Sequence, residues 1–236
     1  MSSAITYTFP QLIVINKFNS KYIRCHGIYL PMHKVMLSSL TATILLTTFL
    51  ASPNLVLADP GNSISICCAW NDKLSDGILT YRITGGDDAA KQAVRNAIED
   101  WDTALTGLQL DEITGKTKGD IEIHFKQGGG MIAGQALSKF DANGFITSVR
   151  IQISGSAFGT ENNALIVEQI TKHESGHALG IGHANFAGDL MSTTVQAGTG
   201  TISTCDTDSV IAANHWKLVD GDTSPHAPHV NHVHCS

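Results

Sequence analysis

Two histidines four residues apart, with a glutamate directly after the first, constrain this chain more than any other feature. The segment is HESGHALGIGH, running from His173 to His183. On a helix, positions four apart lie one above the other on the same face, so the imidazoles of His173 and His177 can bind one zinc ion. Glu174 leaves the helix beside that face, near the metal without having to ligate it, where it can take a proton from a zinc-bound water. A helix continued past His177 would carry His183 away from the metal. Gly180 and Gly182 let the chain leave the helix and turn back, bringing His183 in as the third ligand. Three neutral imidazoles leave a fourth position open, the layout of a catalytic rather than a structural zinc. With 11 His, six Glu and 22 Gly in 236 residues, the five fixed positions would recur by chance about once in twenty thousand such chains.

The rest of the chain supplies one core for this segment. Leu79, Tyr81 and Ile83 alternate with polar residues as in a half-buried strand. Val94, Ile98, Trp101, Leu105 and Leu108 recur at three- and four-residue spacing and predict an amphipathic helix from about Asp87 to Thr106. Strands follow at Ile121–Phe125 and Val149–Ile153, with an apolar stretch from Met131 to Leu137 between them. Asp141-Ala142-Asn143-Gly144 reads as a hairpin turn rather than a calcium loop, because it lacks the series of oxygen ligands calcium needs. Helical spacing returns from about Asn163 and again near Ser203 to Leu218. His124 lies on the polar side of its strand and reads as a surface histidine. The order strand, helix, strands, helix, helix, with no internal repeat or linker, describes a single α+β domain.

Charge divides the chain unevenly. Residues 1–58 hold Lys17, Lys21, Arg24 and Lys34 and no acid, while the rest carries all 21 acids. Val35 to Ala51 is apolar, Lys34 precedes it, and Val56-Leu57-Ala58 offers small residues for a cut before Asp59: the plan of a secretory signal. Counted from Met32 the signal has an ordinary length, and residues 1–31 are expected to be a start-site artefact or a non-structural extension. The chain thus divides into an N-terminal extension and signal (1–58) and a mature domain (59–236). The expected location is extracellular, with membrane attachment only if the signal stays uncleaved. A net charge of -6 with no basic patch gives no basis for nucleic acid as a partner.

HESGHALGIGH resembles the zinc signature of the metzincin metallopeptidases, most closely the matrixin branch. Leu79-Thr80-Tyr81-Arg82-Ile83 is similar to the first strand of matrixin catalytic domains. Gly188-Asp189-Leu190-Met191-Ser192 lies where the family has its Met-turn, which makes Met191 the floor beneath the zinc, and Thr204 to Leu218 resembles the last helix. The resemblance implies a twisted, mostly parallel sheet with an antiparallel edge strand, a zinc-site helix, a Met-turn and a C-terminal helix. It also implies a monomeric, secreted zinc endopeptidase acting on peptides or proteins, with Zn2+ on His173, His177 and His183 and Glu174 as general base. Met131 to Leu137 would be the edge strand that pairs with substrate, and Thr193 to Ile202 the specificity loop. The chain departs from the family in several places. Gln135 stands where animal matrixins carry a structural-zinc histidine, no propeptide with the family's zinc-blocking cysteine motif lies between Ala58 and Trp70, and Thr193 stands where astacin-like relatives have a switch tyrosine.

Two other functions compete with this expectation: a zinc-stabilised binding or adhesion protein without turnover, and a zinc hydrolase of small amides or esters. Glu174 argues against the first, since a retired site has no need of that carboxylate. Four cysteines remain after the signal: Cys67, Cys68, Cys205 and Cys235. Their even number in an exported chain points to disulfides. In a metzincin-type fold both chain ends approach the domain, so Cys67 and Cys68 are expected each to pair with one distant cysteine, the adjacent pair closing only a small strained ring. His226, His229, His232 and His234, spaced irregularly among two prolines, offer at most a loose metal site and are read as a flexible exposed tail.

Overall fold

A computed structural model describes residues 22–24, 28–29, 61–126, 132–154, 163–193 and 200–236. In chain order the elements are β1 (Tyr22–Arg24), β2 (Ile28–Tyr29), β3 (Ser63–Ile66), a short 3-10 turn (Asp72–Leu74), β4 (Ile78–Thr84), α1 (Asp88–Ala104), β5 (Gln109–Glu112), β6 (Ile121–Lys126), β7 (Ile132–Phe140) and β8 (Ile146–Ser154). There follow α2 (Asn163–Ala178), β9 (Ile181–Ala184), α3 (Thr204–Ala213), α4 (His215–Leu218) and β10 (His232–His234). The signal-like run Val35–Ala51, its Val56–Ala58 site, the triple glycine at 128–130 and most of the 193–202 loop lie outside the described residues. Among the described residues no helix is long and apolar enough to cross a membrane.

The main sheet has the order β1-β7-β8-β6-β4-β5, with β2 also on β7. Strands β5, β4, β6 and β8 run parallel, and β7 is antiparallel to β8. The α+β fold with a mostly parallel sheet is therefore as the sequence predicts. The β7–β8 connection is a hairpin built on Asp141, whose Oδ1 accepts from the N–H groups of Asn143 and Phe145 at 2.9 and 3.0 Å.

Two differences matter for function. Residues 22–24 and 28–29, expected to add no structure, lie antiparallel along the outer edge of β7, with Ile23 opposite Ser138 and Ile28 opposite Gly134. The strand expected at the open edge thus already has a neighbour. The tail, expected to be loose, also contributes structure: β10 pairs with β3, and β3 with β9, in a small antiparallel sheet. Neither β3 nor β9 shows a period long enough to read from sequence, since each is four residues of mixed character.

Helix α1 starts where Asp87 accepts from the N–H of Ala90, at 2.8 Å, so a carboxylate caps the positive end of the helix. Its apolar stripe, Val94, Ile98 and Trp101, is buried, each side chain contributing about 1.5–3 kcal/mol. The Trp101 indole donates to the carbonyl of Lys172 on α2 at 2.9 Å, fixing α1 against α2. Helix α2 in turn packs on β7 and β8. That contact sets the zinc-motif helix directly beneath the β7 edge.

The disulfides differ from the expectation. Cys67 joins Cys68, and Cys205 joins Cys235 with Cα atoms 5.4 Å apart. The β3–β10 pairing explains the second bond, because it carries the chain end to the start of α3. Cys67 and Cys68 are held elsewhere, both N–H groups donating to the carbonyl of Gly180 at 2.9 and 3.3 Å.

Candidate active site

Two elements and the turn between them bring three imidazoles to one point. Helix α2 carries His173 and His177, the turn at Gly180 reverses the chain, and β9 carries His183. A ligand nitrogen from each lies within 4.8 Å of the others, close enough for one ion. The ring centroids are 4.8 to 5.3 Å apart. Gly180 has φ +102°, the left-handed region that side chains rarely adopt, and a Cβ there would run into the Cys68 carbonyl. Gly182 acts differently from the expectation: it needs no unusual φ, but Ser65 Oγ occupies the place of its missing Cβ. One glycine turns the chain and the other lets β9 close on β3.

The end of the helix is held from outside the motif. Trp70 Nε1 donates to the carbonyl of Ala178 at 2.9 Å, and Asn214 Nδ2 to that of Leu179 at 2.8 Å. Asn214 Oδ1 accepts from the Trp70 N–H at 3.0 Å, closing the clamp. These groups satisfy carbonyls that a helix C-terminus otherwise leaves exposed.

Backbone carbonyls set which nitrogen of each helix histidine faces the centre. His173 Nδ1 lies 2.7 Å from the carbonyl of Leu190, and His177 Nδ1 lies 2.9 Å from that of Ile181. A carbonyl only accepts, so each Nδ1 carries the proton and each Nε2 presents a lone pair. His173 Nε2 is buried with no hydrogen-bond partner among the described residues. Burial, with His183 alongside, pushes the His173 pKa down to about 3 despite the Leu190 carbonyl. A neutral imidazole with a buried, unsatisfied lone pair is what a metal ligand requires.

Glu174 is fully buried beside the triad. Burial raises its pKa well above the ordinary carboxylate value, and the backbone N–H of Ala136 on β7 opposes that shift. The strand touches the carboxylate because residue 134 is glycine: a Cβ there would stand 2.7 Å from Glu174 Oε1 and 2.9 Å from its Cγ. The acid, next in sequence to His173, is therefore packed against the backbone of β7.

Met191 is buried, and its sulfur fills the place where Gly176 on α2 has no side chain. Its N–H donates to Asp189 Oδ1 at 2.8 Å, and its carbonyl accepts from the Ala184 N–H at 2.9 Å. The turn at 189–192 thus positions β9 as well as supporting His173 through Leu190. The carbonyls of Leu190 and Ile181, and the Trp70–Asn214 clamp, were missed from sequence; a backbone oxygen leaves no residue-type signal, and the clamp joins positions 144 apart.

The matrixin family model matches residues 69–214, more than half of the chain. The chain belongs to the matrixin family. This matrixin is a zinc metallopeptidase, its cofactor is zinc, and its substrate class is peptides or proteins. Among solved structures it is similar to myroilysin (13% identity, 63% of this chain and 96% of that one, TM-score 0.42). It is also similar to archaemetzincin from Methanopyrus kandleri (14% identity, 58% and 94%, TM-score 0.39). No curated protein sequence gives a significant match. His124, read as a surface residue, stays outside the triad, with its Nε2 3.6 Å from Glu122.

Proposed function

We propose that this matrixin is an exported endopeptidase in which His173, His177 and His183 hold the zinc, Glu174 is the general base and Met191 is the floor of the site. The observation that carries the reading is the convergence of three imidazoles, two of them flanking in sequence a fully buried Glu174 packed against β7. Bound zinc supplies Lewis acidity toward water and toward a carbonyl oxygen. Glu174 takes the proton of the attacking water and passes it to the leaving nitrogen. The tautomers fixed by Leu190 and Ile181 keep two of the ligand nitrogens aimed before substrate arrives.

An extended peptide is recognised by adding to the edge of β7, where main-chain donors and acceptors give affinity without a deep pocket. In the full chain β1 and β2 take that edge. Cleavage of the signal after Ala58 removes both strands along with the apolar run, so export and opening of the site are one event. N-terminal sequencing of secreted protein is expected to begin at or near Asp59; a secreted chain still containing Phe49 would overturn this.

The test of the base is Glu174→Ala. Zinc content should be unchanged, while peptide hydrolysis falls by about 10²–10⁴-fold or more. A near-normal rate would remove Glu174 from the role, and wild-type protein without zinc would remove the reading altogether.

A further inference from the structure

A second group of metal-ligating side chains lies where α4 meets the tail, away from the triad. His215, Asp220 and His229 place their ligand atoms within 4.8 Å of one another, as do Asp220, Asp222 and His226. Asp220 belongs to both groups. His215 Nδ1 lies 3.0 Å from Asp220 Oδ2, and His226 Nε2 lies 3.4 Å from the same oxygen and 3.5 Å from Asp222 Oδ2. The ring centroids of His215 and His229, and of His226 and His229, are each 5.2 Å apart.

We propose that His215, Asp220, His226 and His229, with Asp222 at the rim, form a second site for a divalent transition-metal ion. The donor set decides the class of ion. Three imidazoles and two carboxylates suit Zn2+, Cu2+ or Ni2+, whereas calcium wants six to eight oxygens. Donor separations fit as well: bonds of 2.0–2.1 Å in a tetrahedron put ligand atoms about 3.3 Å apart, against the 3.0, 3.4 and 3.5 Å found here.

The backbone holds these donors together before any ion arrives. The Asp220 N–H donates to the carbonyl of His215 at 3.1 Å and the Asp222 N–H to that of Trp216 at 2.8 Å, so both acids are fixed relative to α4. Downstream, Ile66 donates to the carbonyl of Asn231, β10 pairs with β3, and Cys235 is bonded to Cys205. The segment carrying His226 and His229 is therefore a loop tied at both ends, stiffened by Pro225 and Pro228. An ion there would cross-link the tail to α4 and close the one stretch that β10 and the disulfide leave untied.

The test is Zn2+ and Co2+ binding by the mature chain. Wild type is expected to hold two zinc ions per chain, and His226→Ala/His229→Ala one, with peptidase activity retained. His173→Ala/His177→Ala should keep one Co2+, read from tetrahedral d–d absorption saturating at one equivalent, and the tail substitutions added to it should abolish that signal. Asp220→Asn should weaken tail binding about tenfold or more. Zinc should also raise the melting temperature of the wild type further than that of the tail variant, while the metal-free forms melt together. One zinc in both wild type and tail variant would show that the cluster is held by imidazole–carboxylate hydrogen bonds alone, overturning the proposal. So would a Co2+ signal indifferent to His226 and His229.

Discussion

The triad on α2 and β9 and the cluster on α4 and the tail use the same donor, the imidazole, in opposite surroundings. His173 and His177 are 0% and 1% exposed, with Nδ1 spent on a backbone carbonyl. His215 and His226 keep about a third of their side chains in water, at 34% and 38%, and face carboxylates. Burial makes the first group expensive to leave without a metal and shields it from protons; exposure lets water satisfy the second at little cost. Catalysis needs the first kind, because a ligand shell fixed in advance loses no reorganisation energy during reaction. A structural cross-link tolerates the second. The difference is made by backbone, since a glycine turn builds one group and a tied loop the other.

Gly180→Ala should break the buried group most severely. The new methyl would require a left-handed conformation costing about 1–2 kcal/mol, and it would also meet the Cys68 carbonyl. β9 would have to move, taking His183 with it. Zinc affinity at the triad and peptidase activity are expected to fall together, with the tail ion retained. A variant with normal activity would show that the reversal does not depend on glycine.

This substitution also marks how far the sequence could be read. The motif, its glycine turn, α1 and the strands β4, β6 and β8 follow from periodicity and spacing, because each rests on a pattern within a dozen or so residues, whereas the Met-turn was legible only through the family resemblance. Strand alternation placed β4, β6 and β8, and three- and four-residue spacing placed α1. The small sheet did not show, because β3, β9 and β10 are strands of three or four residues paired across more than a hundred positions. The disulfides were misjudged for the same reason. Without the β3–β10 pairing nothing tells that Cys235 returns to α3. Gly134 was legible only as a residue of an edge strand; that it makes room for Glu174 depends on α2 lying beneath it.

Cys235→Ser should act on the other side of the comparison. The bond closes 30 residues, worth roughly 3–4 kcal/mol in the chain-entropy model. Thermal unfolding should shift down accordingly, and Zn2+ affinity at the tail should drop while the zinc at the triad and the peptidase rate stay near wild type. Equal losses at both metal sites would mean that the tail supports the active site more directly than the contacts show.

The effect smallest on metal binding and peptidase rate, and confined to stability, comes from a carboxylate pair joining the Met-turn to α3. Ser203 caps α3: its Oγ accepts from the Asp206 N–H at 3.1 Å and lies 2.8 Å from Asp206 Oδ2 and 3.2 Å from Asp189 Oδ2. One hydroxyl proton thus serves two acids, and Asp189 also holds the N–H of Met191. Burial of Asp206, then the charge of Asp189, pushes the Asp206 pKa up to about 7 against the N–H of Ser203. The unfolded value is about 3.9, so between these limits the folded chain keeps a proton that the unfolded chain has released. Stability from this group is full below pH 4, declines as pH rises toward 7 and is flat above. Asp206→Asn retains an oxygen for the Ser203 N–H and stays neutral throughout. Its melting temperature should match wild type near pH 4 and exceed it increasingly up to pH 7, with the triad histidines cancelling from the difference. Parallel curves over that range would show that Asp206 is already ionised at pH 4 and that the Met-turn rests on a charged cap.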